Sequence, residues 1–200
     1  MAKLFHAPAS PYSAKVRMAA LHTGYAIEKV AVDTASEPAE LISVNPLGKI
    51  PVLILDDGEA VYDSAAIMHH ISRETGGRLY PRNAAKRLEA ERLEALADGL
   101  CDCLLAHVYE RRFRPEEKVH LPWLERQWSK ATRTLDHLNA APPKLTKYPT
   151  GGQIALRAAI AYAGLRFFGG QWERGRARLL RWAKRFDERF PEMTAELPKA

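Results

Sequence analysis

The sequence predicts a small mixed α/β domain followed by an all-helical one. Two observations carry this. Over residues 1–78, short apolar runs alternate with helix-spaced segments in the order β-α-β-α-β-β-α. From residue 84 to residue 200 only helical periodicity remains. A chain of 200 residues has room for two such units. The connector between them is read as Arg78-Leu79-Tyr80-Pro81-Arg82-Asn83.

The elements follow in order. Lys3 to Ala7 reads as a strand, and Ser13 to Thr23 as a helix with Val16, Ala19, Ala20 and Leu21 turned inward. Gly24 is the residue type that commonly stands just past a helix C-terminus. Ile27 to Val32 is a second strand. Glu37 to Val44 is a short helix closed by Asn45-Pro46. Val52 to Leu55 is apolar without helical spacing and is bounded by Pro51 and Asp56-Asp57-Gly58, so it reads as a buried strand. Asp57-Gly58 marks a hairpin, because glycine accepts the positive φ that tight hairpin turns need. Asp63 precedes Ile67, His70 and Ile71 at helical spacing and suits an N-cap, which starts a helix at Ser64 that runs to about Glu74 and ends at Gly76-Gly77. The predicted sheet therefore combines one parallel crossover with one antiparallel hairpin.

In the second half, Leu93, Leu96, Leu100, Leu104 and Val108 mark one face of a long helix. Trp123 to Leu138 is the next helix, with Leu124, Trp128, Ala131, Leu135 and Leu138 in phase, and Ala141-Pro142-Pro143 breaks it. Ile154 to Phe168 is apolar nearly all round, the signature of a central buried helix. Thr150 and Gln153 form a capping-box pair ahead of it. After Gly169-Gly170, a last helix is predicted from Trp172 to Phe190.

Composition narrows the possible functions. The formal net charge is +6, with basic residues gathered at Arg111-Arg112-Phe113-Arg114 and from Arg174 to Arg189. In the second cluster they interleave with Leu179, Trp182, Phe186 and Phe190 at helical spacing, which describes a solvated face over a buried stripe. Net charge alone speaks only to non-specific attraction, so no nucleic-acid partner is expected. No run of eighteen apolar residues exists, and no membrane span is expected. The opening Met-Ala-Lys-Leu-Phe-His-Ala-Pro has no signal-peptide character, so a cytoplasmic location is expected. Cys101 and Cys103 fall on roughly opposite faces of a helix and cannot bridge each other; two cysteines are also too few for a structural zinc site, and no metal is expected.

The candidate site lies in the first half. Ser10 suits an N-cap and Pro11 the first helical position. A helix N-terminus carries free N–H groups and a partial positive charge, which favour a bound anion. A hydroxyl there can donate a hydrogen bond, and a thiolate placed beside both is stabilised. The Asn45 to Leu55 block, the hairpin and Asp63-Ser64 add a backbone edge, a carboxylate and a second helix N-terminus. Such a place suits a small peptide-like ligand with both an ammonium and a carboxylate. Asp98 and Asp102 on the long helix are expected at the surface, with a position facing a dimer partner as the alternative.

Ser10-Pro11-Tyr12-Ser13 with Lys15, the Asn45 to Leu53 block, Asp63-Ser64 and the Thr150 to Phe168 helix, in this order and spacing, resemble the glutathione transferases over essentially the whole chain. The resemblance implies a thioredoxin-like N-terminal domain (residues 1–78) that binds glutathione. It also implies an all-α helical-bundle C-terminal domain (residues 84–200) that contributes a second-substrate pocket. By this resemblance Ser10 donates its hydroxyl to the glutathione sulfur, and Ile50 offers its backbone N–H and C=O to the cysteinyl part. Pro51, cis by the same resemblance, aims that edge. Asp63 meets the γ-glutamyl ammonium, Ser64 holds the γ-glutamyl carboxylate, and Lys49 approaches the glycyl end. A small hydrophobic electrophile would sit near Tyr12, Tyr109, Phe113 and Trp172. The implied protein is a detoxifying transferase that acts as a homodimer, with glutathione as co-substrate and no cofactor. The alternative is a non-catalytic interaction protein of the same fold.

Two departures bear on mechanism. Neither Ser10 nor Ser13 is a cysteine, which argues against disulfide exchange. Gln153 stands where the family usually has aspartate in the capping box, and a glutamine can still make the reciprocal bond. The sequence leaves both serines open for the sulfur contact, with the cap position favouring Ser10.

Overall fold

A computed structural model describes residues 1–200. Its first half contains β1 (Ala2–His6), α1 (Pro11–Thr23), β2 (Ile27–Ala31), α2 (Ala39–Val44), β3 (Val52–Ile54), β4 (Ala60–Val61) and α3 (Ser64–Glu74). The sheet order is β2-β1-β3-β4; β2 runs parallel to β1, and β3 and β4 are antiparallel to their neighbours. This is the thioredoxin-like arrangement, and it meets the expectation of one crossover and one hairpin. Successive residues on β1 face opposite sides of the sheet. Leu4 enters the main core with residues of α1 and α3, whereas Phe5 joins Leu41 and Val52 in a small separate cluster beneath α2.

The second half is helical: α4 (Ala84–Phe113), α5 (Leu121–Ala140), α6 (Gly151–Arg166) and α7 (Ala177–Arg189), closed by a 3-10 segment over Pro191–Glu196. One core of 36 buried residues runs through both halves. The centre is α6, buried on nearly all sides, as its apolar composition predicts. Its capping box is formed: Gln153 N–H donates to Thr150 Oγ1 at 3.3 Å, and Thr150 N–H donates to Gln153 Oε1 at 3.2 Å. The same Gln153 donates through Nε2 to the Lys144 carbonyl at 2.7 Å, so it also ties down the preceding loop.

Several expectations give way. Leu21 is exposed: the sheet, α3, α6 and the C-terminal segment enclose α1, and Leu21 falls on the one strip left to water. The buried face of α4 runs through Ala90, Glu94, Ala97, Leu100, Cys101 and Leu104, so Leu100 and Leu104 are inward as expected, while Leu93 and Leu96 flank them half-buried. Near Ala90 and Leu93 the helices approach so closely that α6 presents glycine there. A Cβ on Gly152 would collide with the Ala90 carbonyl and lie 2.8 Å from Leu93 Cβ. The connector is not a loose linker. Leu79 and Tyr80 are fully buried, and the Leu79 carbonyl accepts the Gly151 N–H at 2.9 Å.

The last helix begins at Ala177, not Trp172. Residues 172–176 turn instead, with Gly175 at φ +78°. Asn139, at the end of α5, supplies the cap: its Oδ1 accepts from the N–H groups of Arg178 and Leu179 at 3.0 and 3.1 Å. A cap donated by another helix leaves no local sequence signature.

The C-terminal segment folds back on the first half. Glu196 pairs with Arg17 at 3.0 Å and Lys29 at 2.6 Å, and Arg17 also donates to the Glu196 carbonyl at 2.9 Å. Burial alone would raise the Glu196 carboxyl pKa, but Lys29 and Arg17 outweigh it and hold it below the usual glutamate value. A carboxyl depressed on folding stabilises the fold above its ordinary pKa and loses that contribution as the pH falls through the depressed value. Docking of residues 191–196 should therefore weaken as the pH falls below about 4.5. Hydrogen exchange of those amides would report it, and Glu196→Gln should loosen the segment at neutral pH and remove most of this pH dependence.

Candidate functional site

Three segments converge at one edge of the sheet, and strand register dictates it. The C-terminal end of β1 leads into α1. Val52, which opens β3, pairs with Phe5, and Val61, which ends β4, pairs with Leu53. Because β3 is antiparallel to both neighbours, the end of β1, the start of β3 and the end of β4 share that edge. Ser10, the Lys49-Ile50-Pro51 segment and Asp63-Ser64 extend from these three points.

At the first point, Ser10 is the N-cap of α1. Its Oγ accepts the Ser13 N–H at 3.1 Å and the residue is half-buried, so the hydroxyl proton remains available. Ser13 is fully buried and its hydroxyl has no hydrogen-bond partner. At the second point, buried Asn45 shapes the loop: Oδ1 accepts the Leu47 N–H at 3.1 Å and Nδ2 donates to the Lys49 carbonyl at 2.8 Å. Gly48 occupies φ +60°, a region open to glycine at no steric cost. The Ile50–Pro51 peptide is cis, as the resemblance implied. The N–H and C=O of Ile50 have no partner within the protein. Lys49 is exposed and forms no ion pair.

At the third point, Asp63 caps α3. Its Oδ1 accepts from the Ala65 and Ala66 N–H groups at 3.0 and 3.3 Å, which leaves Oδ2 free on an exposed residue. Ser64 is buried in the first turn, and neither its hydroxyl nor its N–H has a partner within the protein. The edge thus presents an unpaired backbone N–H and C=O, a carboxylate oxygen, a free hydroxyl and two helix N-termini. Together these complement the amide, ammonium and carboxylate groups of a short peptide.

Beside the edge runs an ionic seam between the halves that the sequence reading missed. Glu94, Asp98 and Asp102 stand at i, i+4 and i+8 along α4, opposite Tyr12 and Lys15 of α1. Lys15 is buried and pairs with Glu94 at 3.0 Å and Asp98 at 2.6 Å. Tyr80 donates to Glu94 and Tyr12 donates to Asp102. Asp98 is half-buried, which corrects the surface expectation for it, whereas Asp102 lies at the surface as expected and accepts from Tyr12 there. An acidic ladder repels itself along a helix unless cations or donors face it, and that was the available signal. Burial would lower the Lys15 pKa, but Asp98 and Glu94 more than offset it, and the ammonium is held. Burial, then Cys101 and Asp102, push the Tyr12 phenol far up, so it stays protonated.

The predicted second-substrate residues separate into two sets. Asp102, Tyr109 and Phe113 share one face of α4 (i, i+7, i+11), which leads from Tyr12 to an exposed edge-on pair of rings 5.1 Å apart. Trp172 does not belong with them. It is almost fully buried, and its ring packs beside Gly164 in the core.

The family model for the glutathione S-transferase N-terminal domain matches residues 4–78. The chain is 29% identical to the uncharacterised GST-like protein YibF of Escherichia coli K12 over 99% of this chain and all of that one. It is 33% identical, at a TM-score of 0.91 and over the full length of both chains, to a glutathione transferase family member from Pseudomonas fluorescens Pf-5 crystallised with bound glutathione. A Methylobacillus flagellatus KT glutathione S-transferase with glutathione bound is 31% identical over both full lengths, also at a TM-score of 0.91. The chain belongs to the glutathione transferase family.

The seam predicts a specific liability. Lys15→Ala leaves two carboxylates facing the interior without a cation, and urea denaturation at pH 7 should show a loss of about 3–5 kcal/mol. Burial already raises the Asp98 carboxyl, although Lys15 pulls it down. Without Lys15 the Asp98 carboxyl is raised further, and a group raised on folding recovers stability as it protonates. The deficit should shrink between pH 7 and pH 5.

Proposed function

We propose that this protein binds glutathione along the Ser10–Ile50–Asp63 edge and transfers its thiolate to a small hydrophobic electrophile. The observation that carries the reading is the set of unpaired groups on that edge: the Ile50 N–H and C=O, the free Asp63 Oδ2 and the Ser64 hydroxyl and N–H. Two solved relatives more than 30% identical hold glutathione, which supports the ligand.

In this reading the Ile50 backbone pairs with the cysteinyl residue as an added strand would. Asp63 faces the γ-glutamyl ammonium, Ser64 and its helix N-terminus hold the neighbouring carboxylate, and Lys49 meets the glycyl carboxylate. The sulfur then lies at the start of α1. Ser10 keeps a hydroxyl proton to donate there, while Ser13 is sealed in the core. Together with the helix N-terminus, that hydrogen bond favours the thiolate over the thiol, whose ordinary pKa is about 8.5. The thiol proton leaves to water. The sulfur lone pair forms the C–S bond, and the leaving group departs with its electron pair. Catalysis is mainly positioning and charge stabilisation.

Tyr12 cannot supply a phenolate, since its hydroxyl is committed to Asp102; it forms a wall instead. Tyr109 and Phe113 offer apolar surface to the electrophile. A homodimeric, cytoplasmic detoxification enzyme is the setting this reading proposes.

Conjugation to a generic aromatic halide tests it. Ser10→Ala should lower kcat/KM at pH 7 about 10–100-fold, equivalent to roughly 1.4–2.7 kcal/mol. It should also move the pH–rate inflection up toward the free thiol value; glutathione binding with an unchanged rate and pH profile in this variant would refute the role of Ser10. Asp63→Asn isolates charge from capping, because asparagine caps a helix about as well as aspartate. Calorimetry should show glutathione affinity falling about tenfold with the melting temperature nearly unchanged. No heat from the parent protein at millimolar glutathione would defeat the whole reading.

A further inference from the structure

The arginine-rich stretch forms the solvated face over a buried stripe that its spacing predicts, and a loop borders that face. The loop Pro142–Leu145 stands against α7 and leaves a cleft of about 630 Å³. Lys144, Arg178, Arg181, Arg185 and Arg189 line it, against the single carboxylate of Glu188. We propose that this cleft binds a small molecule carrying two or more adjoining phosphate groups.

The charges in the cleft are unspent. Lys144, Arg181, Arg185 and Arg189 take part in none of the chain's ion pairs, and Arg178 donates to the Ala140 carbonyl at 2.6 Å without meeting a carboxylate. The two acids of α7 are engaged elsewhere. Asp187 forms a two-point pair with Arg157 at 2.6 and 2.7 Å, and Glu188 is drawn toward Lys184 at 3.8 Å. The stripe is also costly to the helix that carries it. Arg181, Arg185 and Arg189 follow one another at i, i+4 spacing, and like charges at that spacing destabilise a helix. No intramolecular partner recovers that cost, whereas a bound polyanion would.

Geometry selects the class of anion. Arg178 to Arg189 spans eleven residues, about 16 Å at 1.5 Å per residue, so a short chain of phosphates can meet several guanidinium groups at once. Each guanidinium presents a planar fork that matches two phosphate oxygens. The opposite wall is preformed: Pro142-Pro143 stiffens the loop, and Gln153 pins it through the Lys144 carbonyl. Trp182 forms the floor, nearly fully buried, with an indole N–H that has no acceptor within the protein. The volume is that of a small-ligand pocket. None of Ser10, Ile50, Asp63 or Ser64 takes part, so this proposal and the glutathione reading succeed or fail separately.

Titration calorimetry of the full chain with inorganic tripolyphosphate in 150 mM NaCl tests the site. Micromolar binding is expected, with orthophosphate at least tenfold weaker. Arg181→Gln/Arg185→Gln should weaken tripolyphosphate at least 30-fold and leave glutathione binding unchanged. Lys184→Gln, on the outer side of α7, should change it less than twofold. If the double glutamine variant misfolds, Arg181→Lys/Arg185→Lys keeps the charge and removes the fork, and it should bind several-fold more weakly. A nucleoside triphosphate that binds as well as tripolyphosphate supports recognition of the phosphate chain alone, and tighter binding supports a nucleotide. No binding at 1 mM, an equal loss in Lys184→Gln, no loss in the lysine pair, or a single-stranded RNA that binds tenfold more tightly would each overturn the proposal.

Discussion

The ammonium of Lys15, held between Glu94 and Asp98, is the interaction on which the arrangement of the two halves depends. It sits on the helix that Ser10 opens and faces the helix that carries the surface proposed for the second substrate. A buried lysine is tolerable only with carboxylates close by, and two carboxylates on one helix are tolerable only with a cation opposite. Neither half can satisfy its charges alone. Tyr12–Asp102 and Tyr80–Glu94 extend the same seam with hydroxyl donors. The seam therefore sets the position of α1 against α4, and with it the distance between the edge proposed for glutathione and the aromatic end of α4.

The edge proposed for glutathione shows how one piece of backbone chemistry can serve two ends. A helix start has N–H groups with no partner in the helix, and a capping side chain satisfies only some of them. Ser10 and Asp63 each cap their helix with one oxygen lone pair or one carboxylate oxygen and keep the rest of the group free. Stability thus accounts for these residues whether or not a ligand arrives. The proposed ligand would use what capping leaves over. The Ile50 edge follows the same logic in a loop: the side chain of Asn45 satisfies the neighbouring backbone, so the N–H and C=O of Ile50 need not turn inward.

Charge on the outer helices follows a different rule. Glu196 is engaged by two cations from the first half and anchors the C-terminal segment. The arginines of α7 have no such partners and are gathered against a rigid loop. Sequence spacing places both groups on solvent-facing strips. The second group lines a cleft with its charge unpaired, and unpaired charge gathered in a cleft concentrates potential where an open patch is screened.

The alternation of short strands and helices, the hairpin at Gly58, the caps at Ser10, Asp63 and Thr150 and the buried character of α6 were legible in the sequence, because each follows from local propensity or from spacing along one segment. The residues along the candidate edge were legible only once capping signals were combined with a family resemblance. Tertiary structure decided what local pattern could not: the burial of Tyr80, the outward turn of Leu21, the burial of Trp172, the start of α7 at a cap lent by Asn139, and the partners of Asp98 and Asp102. Each depends on a group tens of residues away. Propensity and periodicity describe how a segment satisfies itself, whereas burial and charge pairing depend on which other segment covers it.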